Sequence, residues 1–384
     1  MRKSALGFLV VGAAATLAVS ACSSSKNNTT SSAPAGGSST PSATDTSSSS
    51  STGGAIDGKG AKVGIILPDR QSSNRWISSD PDALAAQCKK DNLQCDIQNA
   101  DNSATNMTTI SQTMMNNGVK VLMIVNLDSA SASKIEDAAK AKGVITIDYD
   151  RLTLGGSASL YVSFDNTKVG ELQGQSLVNC PQVKGKTSVK YVDVNGAPTD
   201  NNATLFKQGY DSVLSKQPGW TKVADQSIDK WDNQQAGVTF SSMLQKNPDI
   251  SAVMVANDGM AGSVIADLAK QKLNGKVAVS GQDASVEGLQ RIMTGDQCFT
   301  IYKPSTGEAV PAVDAAAQLA TGGAPNTTQT ITDPQTKRQV PAILATPIAI
   351  TKANVAQPIN DGYTPKAQTC AGKYAALCTA AGVK

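Results

Sequence analysis

From Lys62 onward the chain alternates short apolar runs with longer stretches in which apolar residues recur at helical spacing. The first run is Val63–Leu67, and others follow at 121–125, 144–147, 161–164, 188–194, 221–225, 252–256, 277–280 and 299–302. Between them the spacing predicts helices over 82–90, 131–142, 167–179, 203–216, 233–246, 260–271, 285–293 and 307–320. Brief apolar strands separated by helices imply parallel sheets covered on both faces, an α/β fold. Gly143 stands just past a predicted helix end, and Gly118 just before a predicted strand, where a left-handed helix cap is wanted.

Unusual polar residues cluster just beyond the carboxyl ends of these strands. Asp69-Arg70 and Arg75-Trp76 follow the first, Asp150-Arg151 follow 144–147, and Asp200-Asn201-Asn202 follow 188–194. Asn257-Asp258, Gln282-Asp283 and Lys303 do the same for the later strands. In open parallel sheets that rim is where ligands bind. Asp accepts, Asn donates and accepts, and Arg presents a planar fork, a set suited to the vicinal hydroxyls of an uncharged polyol. Two of the three tryptophans, Trp76 and Trp231, lie in such polar loops, where the carbon–hydrogen face of a sugar ring can stack.

The amino-terminal segment has a different pattern. Arg2 and Lys3 precede a short apolar run over 5–18, and Val19-Ser20-Ala21-Cys22 closes it with small residues before a cysteine. The run is too short to span a bilayer and reads as a secretion signal over 1–22, with Cys22 as a lipid-bearing residue. Residues 23–60 are nearly all Ser, Thr, Gly, Pro and Asn, a composition expected to stay disordered. As a flexible coil it would hold a folded module roughly 30–35 Å from a membrane. The expected location is the outer face of the cell membrane.

Lys plus Arg number 34 against 31 Asp plus Glu, and loss of Arg2 and Lys3 leaves the mature chain near neutrality. That balance carries no footprint for nucleic acid. The absence of histidine excludes His-activated nucleophiles and His-ligated metals. No CxxC occurs, and no metal or other cofactor is expected. Of seven cysteines, setting Cys22 aside leaves six in an oxidising compartment. They allow about fifteen pairings; the expected one is Cys88 with Cys95, Cys180 with Cys298, and Cys370 with Cys378.

The motifs Arg75-Trp76, 147–151 (IDYDR), 162–166 (VSFDN) with 169–173 (VGELQ), 200–203 (DNNA), 229–231 (DKW), 256–258 (AND), 280–284 (SGQDA) and 302–304 (YKP) run in order through nearly the whole folded part. Together they resemble the D-xylose-binding proteins of bacterial ABC importers, within the ribose- and galactose-binding group. The resemblance implies a type I periplasmic binding protein fold: two Rossmann-like lobes with parallel sheets, joined by a three-strand hinge. It implies one lobe from 61–164 and 305–346, a second from 165–304 and 347–369, and a tail over 370–384. Crossings are expected near 164–166, 303–305 and 346–348. The implied ligand set is Arg75, Trp76, Asp150 and Arg151 from the first lobe, with Asp200, Asn202, Trp231, Asn257 and Asp283 from the second and Lys303 near a hinge. The implied partners are a monosaccharide, xylose first, and an ABC permease in the same membrane, with the protein itself a monomer. Two departures from the family pattern are a longer loop over 69–74 and Asp80-Pro81, expected to interrupt a helix.

Other readings compete. Asp150, Asp200 and Asp258 could cap helices or form turns, Asp165 and Asn166 suit a hinge, and Trp220 suits packing. The same site could serve a receptor that presents its sugar to a membrane histidine kinase, or take another pentose or a hexose. A glycosidase would need a carboxylate pair such as Asp200 and Asp283. Gly53–Gly60 imitates a phosphate loop, but Gly60 stands where Ser or Thr belongs and no strand precedes it.

Overall fold

A computed structural model describes residues 56–384 apart from 328. The expectations for Cys22, the secretion signal and most of the Ser/Thr-rich segment lie outside these residues. The chain begins β1 (Lys62–Leu67), α1 (Ser79–Lys90), β2 (Gln94–Asn99), α2 (Ala104–Asn116), β3 (Val121–Ile124), α3 (Ser129–Ala141), β4 (Ile145–Tyr149) and β5 (Leu160–Phe164). It continues α4 (Asn166–Val178), β6 (Val189–Asn195), α5 (Asn201–Leu214), β7 (Trp220–Ser227), α6 (Asn233–Lys246) and β8 (Ala252–Val255). Then come α7 (Asp258–Lys270), β9 (Ala278–Val279), α8 (Val286–Thr294), β10 (Phe299–Tyr302), α9 (Thr306–Ala320), β11 (Gln329–Thr332) and β12 (Gln339–Ala345). The last elements are β13 (Ile348–Thr351), α10 (Gln357–Asn360), α11 (Lys366–Thr369) and α12 (Ala375–Ala380).

Two sheets organise these elements. The seven-stranded sheet has the order β11-β12-β5-β4-β3-β1-β2, parallel except for the β11–β12 pair. The four-stranded sheet runs β7-β6-β8-β9, all parallel. In each, the first strand of the half lies inside the second, so the order reverses beside β1 and beside β6. Ligands bind outside the carboxyl ends of strands at such switch points. The chain passes between the two layers at Asp165, at 303–305 and at 346–347, and β10 pairs antiparallel with β13 beside the last two passages.

Burial explains which elements form. β1 (KVGIIL) is buried at every position but the first, and β3 and β8 throughout. One apolar cluster fills the second half around Val192, Val194, Phe240, Val253 and Met254. Two others cover opposite faces of the first sheet, around Ile65 and Met123 and around Ile66 and Leu122. Cys88 bonds to Cys95, tying α1 to β2; Cys180 to Cys298, tying α4 to β10; and Cys370 to Cys378. Residues 370–384 fold back onto α8: Cys378 is buried with Leu289, Ile292 and Met293.

The structure corrects several sequence expectations. β2 and α2 were not predicted, nor was the β11–β12 hairpin. β2 (QCDIQN) is a half-buried edge strand with too few apolar residues to register as a run, and α2 buries Met107, Ile110 and Met114 on an otherwise polar helix. The first helix starts at Ser79 and takes Pro81 into its first turn, where a missing N–H costs nothing. The interruption falls instead at Ser78, between a 3-10 turn over Asn74–Ile77 and α1.

Candidate functional site

All ten residues of the expected ligand set line one cleft between the two halves, together with Ser72, Ser73, Phe206 and Gln282. The non-atom space among them is about 310 Å³ including its open mouth, and the side chains lie close against one another.

Several of these side chains sit on helix starts and strained turns. Asp200 caps α5, its Oδ1 accepting from the Asn202 N–H at 2.9 Å, and Asn257 caps α7 through the Met260 N–H at 3.0 Å. Capping and facing the cleft are thus compatible roles, because the strand ends and helix N-termini converge there. Asp150, Trp231 and Asp283 have φ of 63°, 56° and 95°. Such left-handed conformations are rare away from glycine, cost roughly 1–3 kcal/mol each, and persist only where surroundings over-determine them. At Asp150 the surroundings do: its carbonyl accepts from Ser163 Oγ at 2.6 Å, Asn202 Nδ2 at 2.9 Å and Tyr161 OH at 3.2 Å.

Trp231 is held over Gly196. A Cβ on that glycine would lie under 3.0 Å from three carbons of the indole ring, so only glycine lets the ring lie flat against the backbone. Its Nε1 donates to Asp200 Oδ2 at 3.1 Å, and Phe206 meets it edge-on at 6.5 Å. From the other half, Trp76 lies beneath the Arg75 guanidinium at 4.3 Å and within 5.9 Å of Arg151, arrangements that orient both cations.

Arg75 departs from the role the sequence suggested. It donates Nε and Nη2 to Asp80 at 2.9 and 2.7 Å, Nη1 to Asp150 at 2.8 Å, and Nη2 also to Glu308 at 2.5 Å. Most of its donors are spent inside the protein, two of the four bonds on Asp80 and one each on Asp150 and Glu308. Burial opposes the Arg75 charge, but Asp80, Glu308 and Asp150 together override it and hold its pKa well above the usual value. For Asp80, burial is overcome by Arg75 and by the Ser305 and Tyr149 hydroxyls, and its pKa falls below the usual value. Glu308 is the odd carboxyl out. Burial pushes it well above the ordinary carboxylate range, with only Arg75 opposing and Asp150 and Asp80 adding to the push. Burial likewise raises Asp200, against the pull of Arg151.

Direct bonds join the halves across the cleft. Ser73 Oγ donates to Asp283 Oδ2 at 2.9 Å, Asn257 Nδ2 to the Ser72 carbonyl at 2.9 Å, and Asn202 Nδ2 to Asp150 Oδ1 at 3.2 Å. Arg151 Nε is 2.9 Å from Asp200 Oδ2, yet its N–H is not aligned on that oxygen, so the contact is ionic without a directed hydrogen bond. Lys303 Nζ lies 3.3 Å from Asp283 Oδ1 in the same manner. Arg151 Nε, Asp283 Oδ1 and Gln282 Oε1 are therefore buried polar atoms around this space without hydrogen-bond partners in the protein. Burying such groups is costly unless something bonds them.

Other polar residues act as supports. Asp258 is buried and lines an adjoining pocket, accepting from Ser285 N and Gln297 Nε2 at 2.9 and 2.7 Å, and burial raises its pKa to about 6. Asn166 Nδ2 donates to Asn202 Oδ1 at 2.9 Å across the passage that Asp165 opens, and Trp220 packs on Tyr191 at 5.8 Å. Sequence reasoning missed Asp80 and Glu308, which occupy first helical turns like many surface acids.

This architecture is that of a two-lobed solute-binding protein. Residues 63–324 match the family model of the periplasmic binding protein domain. The chain is 35% identical over 316 residues to the D-xylose-binding periplasmic protein of Escherichia coli (strain K12), covering 80% of this chain and 92% of that one. It is 33% identical over 313 residues to the protein of the same description in Haemophilus influenzae, with 80% and 92% covered. A carbohydrate transporter solute-binding protein from Chloroflexus aurantiacus, solved with D-glucose, superposes with a TM-score of 0.71 at 27% identity, over 80% of this chain and 97% of that one. The chain belongs to the periplasmic sugar-binding proteins of ABC importers, in the D-xylose-binding group.

Proposed function

We propose that this protein captures one neutral monosaccharide, D-xylose, between its lobes and delivers it to an ABC permease without chemically altering it. The observation that carries this reading is the set of buried atoms without a hydrogen-bond partner in the protein, Arg151 Nε, Gln282 Oε1 and Asp283 Oδ1, on residues that line a small space together with two tryptophans. Donors and acceptors arrayed together call for a ligand that both donates and accepts, which a hydroxyl does and a carboxylate or ammonium does not. The site's own cations are matched by its carboxylates, so no charge is left for an ionic ligand to neutralise. D-xylose is the choice among sugars because the two relatives named for it are 35% and 33% identical over four-fifths of this chain.

Asp150, Asp200 and Asp283 serve in this reading as hydroxyl acceptors, Asn202 and Asn257 as combined donors and acceptors, Arg151 and Lys303 as donors, and Trp76 and Trp231 as walls. Arg75 fixes Asp150. Binding closes the lobes about the three crossings because the two halves' contacts to one ligand exist together only when closed. Cys22 carries the lipid that keeps the module beside its permease. Titration calorimetry of the mature domain against D-xylose, L-arabinose, D-ribose, D-glucose and D-galactose tests the proposal. D-xylose binding tightest supports it; tighter binding of a hexose, or turnover of a xyloside, overturns it.

A further inference from the structure

The turn that presents Asp283 is left-handed at two successive non-glycine residues, Asp283 (φ 95°) and Ala284 (φ 50°). A conformation of that kind needs bonds on both sides of its peptide groups. On the N–H side, β10 supplies them: Asp283 N donates to the Ile301 carbonyl at 2.8 Å and Ala284 N to Thr300 Oγ1 at 3.1 Å. On the carbonyl side the partners come from the loop between α10 and α11. Tyr363 OH donates to the Asp283 carbonyl at 2.9 Å, and Thr364 Oγ1 to the Ala284 carbonyl at 2.9 Å.

That loop is itself fixed. The Tyr363 and Thr364 N–H groups both donate to the Pro358 carbonyl at 3.1 Å, and the Tyr363 ring meets Tyr302 edge-on at 5.0 Å. Further along, Gln290 of α8 donates to the Thr369 carbonyl at 3.1 Å, and the Cys370–Cys378 bond closes a short loop whose Cys378 packs on α8. Tyr363 also lines a shared pocket with Ser79, at the start of α1 on the opposite side of the cleft.

From this we infer that Tyr363 and Thr364 are positioning residues for ligand binding: the C-terminal segment clamps the Asp283–Ala284 turn and thereby aims the Asp283 carboxylate into the cleft. The inference rests on the sugar-binding reading above, since it concerns how one of that site's acceptors is held. It gives the disulfide-closed terminal segment a part in affinity as well as in packing.

Tyr363→Phe and Thr364→Val each delete one hydroxyl with little change of shape. In calorimetric titration with D-xylose, each is expected to raise Kd about three- to tenfold, and the double variant about ten- to a hundredfold, the worth of one and two hydrogen bonds. A general structural role would add the same penalty in any background. The clamp predicts that Tyr363→Phe costs markedly less when Asp283 is already Asn. Hydrogen exchange of the amides over 281–288 in the sugar-free protein is read in parallel and is expected to quicken in both single variants. Unchanged Kd in the double variant, full additivity with Asp283→Asn, or unchanged exchange overturns the inference. If the wild-type protein binds no sugar while exchange still quickens, the sugar-binding reading has failed and the Asp283–Ala284 clamp has not.

Discussion

Replacing Gly196 by alanine sets a methyl group where the Trp231 indole now lies, under 3.0 Å from three of its ring carbons. Trp231 is only 6% exposed and packs on Phe206 within the main cluster of the second lobe, so its ring can yield only toward the cleft it lines. It must tilt, and its Nε1 then leaves Asp200 Oδ2, now 3.1 Å away. Overpacking of this kind costs about 1–3 kcal/mol of stability. Loss of a hydrogen bond to a charged group is worth about 1.5–3 kcal/mol. If that second quantity appears in binding, where Trp231 forms one wall and Asp200 an acceptor, Kd rises roughly ten- to a hundredfold. The melting temperature should drop by a few degrees while the transition stays cooperative. Calorimetry gives the first number, scanning calorimetry the second, and tryptophan emission reports whether sugar still changes the indole environment. A Gly196→Ala protein that binds within about threefold of wild type, with its sugar-induced emission change intact, would refute the claim that the Trp231 ring orientation is part of the site.

Three further outcomes are expected. Arg151→Ala and Asp283→Ala should each abolish measurable D-xylose heat while the proteins still melt cooperatively, and retained binding in both would remove these residues from the site. Glu308 has its folded pKa raised, chiefly by burial, so its contribution to stability is full at pH below the unfolded value and is lost as pH rises through the folded one. Wild-type melting temperature should therefore decline more steeply with rising pH above the ordinary carboxylate range than that of Glu308→Gln, and parallel profiles would contradict the assignment. Finally, the Cys180–Cys298 bond closes a span of 118 residues, against 7 and 8 for the other two. By chain entropy its removal through paired alanines should cost about 4–5 kcal/mol against about 2–3 kcal/mol for either short loop. Denaturant titration of the three double variants checks that order, and a smaller loss for Cys180/Cys298 would contradict it.

The parallel α/β pattern was readable because strands buried on both faces are written as continuous apolar runs, as in Val63–Leu67 and Ala252–Val255. Edge elements lacked that signal: β2 is QCDIQN, and β11 is largely exposed. Candidate site residues were readable for a related reason, since charged and aromatic side chains just past a buried strand stand out against it. Their division of labour was not readable. Arg75 looks in sequence like Arg151, but only three-dimensional proximity brings Asp80 and Glu308, 5 and 233 residues away, around its guanidinium. Gln282 was noted beside Asp283, yet only packing leaves its Oε1 buried and without a partner. Tyr363 lies 80 residues from the turn it holds, and nothing in its local sequence points to that turn.

A crystal structure of the mature domain grown with saturating D-xylose would test the central claim most directly. The account predicts one sugar ring between Trp76 and Trp231, with its hydroxyls bonded to Arg151 Nε, Gln282 Oε1 and Asp283 Oδ1. A vacant cleft at saturation, or a sugar bound elsewhere while those three atoms stay unpaired, would contradict it.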